Sequence, residues 1–227
     1  MSASPDGIAS LPRRALAAFV IYFGVTLSKR YWFPLLDDTY FWLADVLCFV
    51  GLPVALWVGF RLPRKPAFAL GAKRPQALTQ GEVVYLVLLL LLGLWLASNV
   101  GINMGNRLAR HFPDVLPRAI DYVGHVPSDG VARWVVAVYV AVSAGVIEEY
   151  FFRGLLGVVC AHYLGRSVAV FVVVSVLAFA AIHWGGGLVN VIAAGCSGVL
   201  LAAVYARTGD LRIPMAAHTL IWARWLV

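Results

Sequence analysis

Residues 83–98 read VVYLVLLLLLGLWLAS, a run without a charged side chain that decides the fold class of the chain. Its apolar residues follow one another without the polar and apolar alternation that a strand of a membrane barrel would show. Inside a bilayer every backbone N–H and C=O group needs a partner within the protein, and a helix meets this need within one segment. The run therefore predicts a membrane-spanning α-helix.

The composition extends this prediction to the whole chain. Of its 227 residues, 62% are hydrophobic and 13% are charged, and the mean hydropathy is +0.85. One soluble core of this length could not bury so much apolar surface, so the lipid bilayer must act as solvent. We expect an all-α, polytopic bundle that forms a single integral membrane domain over residues 1–227. Spans of about 20 apolar residues predict about seven helices, at 15–34, 39–60, 81–101, 131–163, 166–183, 188–206 and 211–227.

The positive charge indicates topology and not a nucleic-acid partner. The net charge is +7, but the 18 Lys and Arg residues are scattered between apolar runs and form no dense basic stripe,. Residues 61–80 are basic and contain no acidic residue, so the positive-inside rule places this loop in the cytoplasm. Lys29 and Arg30 suit an interfacial end of the first helix. The expected location is a bacterial-type inner (plasma) membrane.

Ionisable residues inside the predicted spans are the candidates for function. A charged side chain at the bilayer centre costs at least about 2.5 kcal/mol, so each such residue calls for an explanation. The segment VIEEYFFRGLLG (146–157) carries three, VLAFAAIHWGGG (176–187) carries one and PMAAHTLIWARW (214–225) carries another near its middle. These residues are Glu148, Glu149, Arg153, His183 and His218.

Helical spacing separates the two glutamates. Glu149 and Arg153 are four residues apart and can pair, whereas Glu148 lies about 100° around the helix with no cation at pairing distance in its own helix. At about 1.5 Å per residue, Glu149 and His183 lie at nearly the same height on antiparallel neighbours. His218 reaches this depth only if its helix tilts or starts deeper.

The order of these motifs resembles a known family. EExxxR at 148–153, FxxxH at 179–183, TGDLRIP at 208–214 and a final His after Pro214 are similar to the CAAX protease and bacteriocin-processing (Abi) family of glutamic intramembrane endopeptidases. The resemblance covers residues 131–222. The first three helices match that family only as generic membrane spans.

The resemblance implies a catalytic arrangement. Glu148 and His183 would activate a water for attack on a peptide carbonyl, and the His218 region would stabilise the oxyanion. Arg153 would organise the carboxylates of Glu148 and Glu149, and Phe179 would pack to fix the helix that carries His183. The implied substrate is a membrane-anchored or lipidated protein or peptide, an exported one if the topology holds, and no cofactor is expected.

One position departs from the family pattern. The third motif of the family is HxxxN or a variant, and Trp222 stands four residues after His218. An indole N–H can donate one hydrogen bond in place of the amide, but it cannot accept one. Loss of one oxyanion donor typically lowers the rate about 10² to 10³-fold.

Three other interpretations remain open. Two Glu and two His residues could bind zinc, although Arg153 would repel a cation and the chain has no HExxH pattern. A non-catalytic membrane immunity or scaffold protein could keep the polar cluster for stability, and Trp222 favours that alternative. A transporter could use the cluster as a proton relay, but the inverted repeats expected of one are not found.

Overall fold

The computed structural model describes residues 5–64, 66 and 78–226, and within these ranges it contains helices and no strand. The predicted all-α class is confirmed. Most of the basic loop at 61–80 lies outside the described residues, which do not include 65 and 67–77. The helices are α1 (Pro5–Trp32), α2 (Asp38–Gly59), α3 (Gln80–His111), α4 (Gly130–Leu164), α5 (Val168–Ile182), α6 (Gly187–Thr208) and α7 (Arg212–Leu226).

Four segments of the described chain are long and apolar enough to cross a membrane: α2, α3, α4 and Val168–Thr208. The last of these is a hairpin of α5 and α6, joined by the short turn His183–Gly186. A Cβ added at Gly198 would lie 3.8 Å from Val176 and one at Gly195 would lie 3.9 Å from Ala180, as in an antiparallel pair. The chain is thus an integral membrane protein, but the predicted count of about seven spanning helices is not confirmed.

The ends of two helices differ from the predicted ones. A capping box at Thr79 and Glu82 fixes the start of α3, because each side chain satisfies a backbone N–H of the other residue. The helix then continues to His111, ten residues beyond the predicted end, through a polar stretch that hydropathy does not identify as a span. Helix α1 begins at Pro5 instead of residue 15 for the same reason.

Helix α4 lies at the centre of the bundle, where α1, α5 and α7 pack against it, while α3 packs along α6 and α7. Gly101 and Gly105 bring α3 close to α6: a Cβ at Gly101 would lie 2.6 Å from the Cα of Ala193, and one at Gly105 would lie 2.8 Å from that of Val189. Small residues of this kind let membrane helices approach closely. The middle of α4 is buried in this bundle, including residues 151–160 and the two glutamates, while its first turns are exposed.

We predicted that Lys29 lies at an interfacial end of the first helix. In the structure its side chain is buried inside the protein. Its exposed fraction is 6%, its Nζ donates a hydrogen bond of 3.0 Å to the hydroxyl of Tyr122, and it lies 3.8 Å from the ring centroid of Phe49. Tyr122 in turn donates to Asp45 over 2.7 Å, and Tyr139 donates to the other oxygen of Asp45 over 2.9 Å. This network joins α1, α2, α4 and the loop before α4.

The pKa of Tyr122 is well above its usual value. Burial is the main cause, and the negative charge of the Asp45 carboxylate is the next. The hydroxyl therefore stays protonated and remains a donor to Asp45. The lysine and aspartate charges are thus connected through a neutral hydroxyl, which makes their burial tolerable in an apolar environment.

Candidate active site

The backbone of α4 is irregular where it carries the glutamates. Ser143–Glu148 and Tyr150–Leu155 have the wider hydrogen-bond pattern of a π-helix, which is rare and often occurs at functional sites. Glu148, Glu149 and Arg153 are all buried there. Nothing in the residue types alone indicates these wider turns, so the sequence analysis missed them.

Glu149 is the carboxylate that holds partners. Arg153 Nη1 donates to Glu149 Oε1 over 2.9 Å, as the spacing predicted, and His218 Nδ1 lies 2.8 Å from the same oxygen. Arg153 also lies 4.3 Å from the ring centroid of Phe179 and donates weakly, over 3.5 Å, to the carbonyl of Gly198. Its charge is thus balanced by one carboxylate and stabilised by an aromatic face.

Glu148 is buried without comparable support. Its exposed fraction is 5%, and its Oε2 is buried with no hydrogen-bond partner among the described residues. No cation lies within ion-pair distance of it in the described structure, whereas Glu149 has two donors on one oxygen. The two neighbouring carboxylates therefore differ in their surroundings, as the sequence analysis expected from their positions on the helix.

His218 reaches Glu149 because α7 lies directly against α4. A Cβ added to Gly145 would lie 2.0 Å from Thr219 Oγ1 and 2.6 Å from its backbone nitrogen, so only glycine permits this approach. Ile213 and Ala217, on the same helix, are fully buried. The sequence analysis expected His218 to reach the glutamates only if its helix tilts or starts deeper, and in the structure His218 does reach Glu149.

Trp222 lies one turn after His218 and contacts it directly. The indole Nε1–H donates to His218 Nε2 over 3.0 Å. Because Nε2 accepts this bond, the ring proton of a neutral His218 is on Nδ1, which donates to Glu149. The departure from the family motif thus forms a specific contact within the site.

His183 occupies the end of α5, where the helix gives way to the turn. Its Nδ1 donates to the carbonyl of Phe179 over 2.8 Å, so the neutral ring keeps a lone pair on Nε2. The ring of Phe179 lies 4.7 Å from that of His183, 5.8 Å from that of His218 and 5.5 Å from that of Phe152. The predicted packing role of Phe179 therefore extends to both histidines.

The turn that carries His183 is held by residues that the sequence analysis did not identify. Trp184 Nε1 donates to the carbonyl of Leu27 over 2.7 Å, and Arg30 Nη1 donates to the carbonyl of Trp184 over 2.6 Å. The backbone nitrogens of Ala119 and Ile120 both donate to the carbonyl of Gly185. An arginine at a helix end reads as an interfacial residue, so the sequence offered no signal for this contact.

Tyr22, on α1, is a further residue that the sequence analysis missed. Its ring stacks on Phe151 at 4.0 Å, and its hydroxyl is buried with no hydrogen-bond partner among the described residues. A tyrosine within an apolar run is common, so its position alone did not single it out.

The described residues contain no group of three or more His, Cys, Asp or Glu side chains placed to hold a metal ion. In the observed arrangement Glu149 Oε1 already accepts bonds from Arg153 and His218. The expectation that the chain uses no cofactor stays a prediction.

Comparison with known families agrees with the motifs. Residues 130–223 match the family that is described as type II CAAX prenyl endopeptidase Rce1-like. The predicted resemblance to CAAX proteases is confirmed over this part of the chain, which includes every predicted site residue. No curated protein and no solved structure matches the chain significantly.

Proposed function

We propose that this protein is an intramembrane glutamic endopeptidase that cleaves a membrane-anchored or lipidated protein or peptide. The match of residues 130–223 to a CAAX endopeptidase family supports endopeptidase activity. The observation that carries the mechanism is the contrast between the glutamates: Glu149 is engaged by Arg153 and His218, while Glu148 is buried and has no cation paired with it. A general base must be able to accept a proton. A strong ion pair would lower the proton affinity of the carboxylate, so the carboxylate without a paired cation suits this role.

The proposed chemistry uses one water. Glu148 accepts a proton from the water, and the lone pair of His183 Nε2 accepts a hydrogen bond from its other hydrogen, which orients the oxygen. The new hydroxide forms a bond to the peptide carbonyl carbon, and the carbonyl electron pair moves to the oxygen. When this tetrahedral intermediate collapses, the C–N bond breaks and Glu148 returns the proton to the leaving nitrogen.

The remaining polar residues support this pair. Arg153 and His218 hold Glu149 in place, and Phe179 packs against both histidine rings. The resemblance implies that the His218 region stabilises the oxyanion. In this chain the two N–H donors there, from His218 and Trp222, are both directed to protein acceptors.

The test is cleavage of single-span peptides, with and without a lipid anchor, by purified protein in lipid vesicles, with products identified by mass spectrometry. We expect Glu148→Gln and His183→Ala to lose at least about 10²-fold in rate, because the first removes the general base and the second removes the group that orients its water. Glu82→Gln is the matched control, since Glu82 is exposed and caps the start of α3, and it should cleave at the wild-type rate. Each reaction is repeated with a chelator, which should leave the rate unchanged.

Three results would contradict the proposal. Wild-type rates in Glu148→Gln would exclude this residue as the base, and a rate abolished by the chelator and restored by zinc would favour the metal alternative. If the folded wild-type protein cleaves none of the peptides, the alternative of a non-catalytic membrane immunity or scaffold protein is favoured. The Trp222 contact supports that alternative, because the indole N–H occupies Nε2 of His218 and so prevents this nitrogen from donating to an oxyanion.

A further inference from the structure

Both ring nitrogens of His218 are occupied within the protein. Nε2 accepts the indole N–H of Trp222 over 3.0 Å, and Nδ1 lies 2.8 Å from Glu149 Oε1. An indole can only donate and an ionised carboxylate can only accept, so these two contacts together assign the ring proton to Nδ1. The assignment follows from the partners alone.

The contact is built into the packing of α7 and does not depend on a mobile surface side chain. Trp222 packs against the buried cluster of Leu90, Leu94, Leu201 and Ile213. His218 itself is 5% exposed. In such apolar surroundings an unpaired indole N–H would cost free energy, so the bond to His218 is retained.

We infer that Trp222 is a positioning residue that fixes the tautomer of His218, so that His218 holds Glu149 and does not itself donate to a substrate. The sequence of contacts runs from Trp222 to His218 and on to Glu149, which Arg153 binds at the same oxygen. Its consequence for catalysis rests on the proposed function, but the tautomer itself does not.

The inference divides the work between the two histidines. With Nε2 covered by the indole, His218 cannot turn an N–H toward a developing oxyanion while the Trp222 contact lasts. His183 donates through Nδ1 to the carbonyl of Phe179, which leaves Nε2 as an acceptor, and among the described residues no hydrogen bond to this Nε2 is found. The water-orienting role then belongs to His183 alone, and His218 acts through Glu149.

The test is nitrogen NMR of protein labelled with ¹⁵N-histidine, in lipid vesicles at neutral pH, because the shift of each ring nitrogen reports whether it carries a proton. The His218 signals are identified by their absence in His218→Gln. In the wild type, Nε2 of His218 should give the signal of a bare nitrogen and Nδ1 that of a protonated one. In Trp222→Phe no donor faces Nε2, so the ring can bind a proton there as well while Nδ1 still donates to Glu149, and the Nε2 signal should move toward the protonated position.

Trp42→Phe is the matched control. It removes another indole donor, which binds the carbonyl of His125 away from the site, and it should leave the His218 signals at their wild-type positions. Trp222→Gln keeps an N–H donor at the same place and should restore the wild-type pattern in part.

A protonated Nε2 in the wild type, or an unchanged Nε2 signal in folded Trp222→Phe, would overturn the inference. If Trp222→Phe does not fold, the wild-type and Trp222→Gln spectra still decide the tautomer. Because this readout requires no substrate, it separates failure of the inference from failure of the proposed function. Where cleavage is measured, Trp222→Phe should lower kcat, by up to about 10²-fold as for a catalytic group held out of place, with KM unchanged, because the change acts through His218 on Glu149 and removes no contact that binds substrate.

Discussion

Glu148 and Glu149 have the same side chain and adjacent positions, but removal of each should affect the protein differently. Glu149 balances the buried charge of Arg153 and accepts a bond from His218. Glu148 has no such partner among the described residues. The difference between them can be measured as folding stability, independently of any reaction.

Glu149→Gln should destabilise the fold by about 3–5 kcal/mol, because it leaves the Arg153 guanidinium buried without its anion. Glu148→Gln, the matched control, should stay near the wild-type stability, since it removes a buried carboxylate that pairs with no cation. Equilibrium unfolding in mixed detergent micelles measures both. Equal stability of the two variants would mean that Arg153 does not depend on Glu149.

At the scale of single residues, contacts within one helix were the predictable ones. The four-residue spacing predicted the pair of Glu149 and Arg153, which the structure shows. The bond from His218 to Glu149 does not follow from spacing within one helix, because it depends on how deep α7 sits against α4. The burial of Lys29 does not follow from its place at a helix end, because its partner, Tyr122, lies 93 positions further along the chain.

At the scale of helices, hydropathy predicted where α2, α3 and α4 lie but not how they end or how regular they are. The capping box at Thr79 and Glu82 follows local rules,. The π-helical turns of α4 leave no mark in the hydropathy pattern or in the four-residue spacing of Glu149 and Arg153. Hydropathy likewise does not predict that α1 and α3 continue through polar residues beyond their apolar runs.

The close approach of α4 and α7 depends on one glycine. A Cβ at Gly145 would lie 2.6 Å from the backbone nitrogen of Thr219, and backbone cannot move aside as a side chain can. Gly145→Ala should therefore push α7 away from α4, lower stability by about 1–3 kcal/mol as in other overpacked sites, and loosen the contact of His218 with Glu149.

Gly24→Ala is the control for this prediction. Gly24 lies within α1, and a Cβ there meets nothing within 4 Å, so alanine should be neutral or stabilise the helix by roughly 0.5–1 kcal/mol. Thermal unfolding of both variants in the same detergent gives the comparison. Equal unfolding temperatures would show that α7 accommodates a methyl group at Gly145.

At the scale of the whole molecule, the arrangement across the membrane follows from charge and remains testable. Helix α3 separates the basic loop at 61–80 from the loop at 112–129, so the two lie on opposite sides of the bilayer if α3 spans it. The positive-inside rule puts the first of them in the cytoplasm.

Reporter fusions can measure this topology. A reporter active only in the cytoplasm should be active when inserted within residues 67–77 and inactive when inserted near Asp114. The reverse pattern would invert the topology and would place the proposed active site on the other side of the membrane from the exported substrates that we expect. Activity at both positions would mean that α3 does not cross the bilayer.

The turn at His183–Gly186 makes the chain less modular than its motifs suggest. Its pose is fixed by Leu27 and Arg30 of α1 and by Ala119 and Ile120 of the preceding loop, all of which precede the part that matches the family. A chimera that received residues 130–223 from a relative would inherit the glutamates and both histidines, but the recipient's first helix would still set the orientation of one imidazole. Crossover points for recombination in such proteins should therefore keep α1 and the 183–186 turn from the same parent.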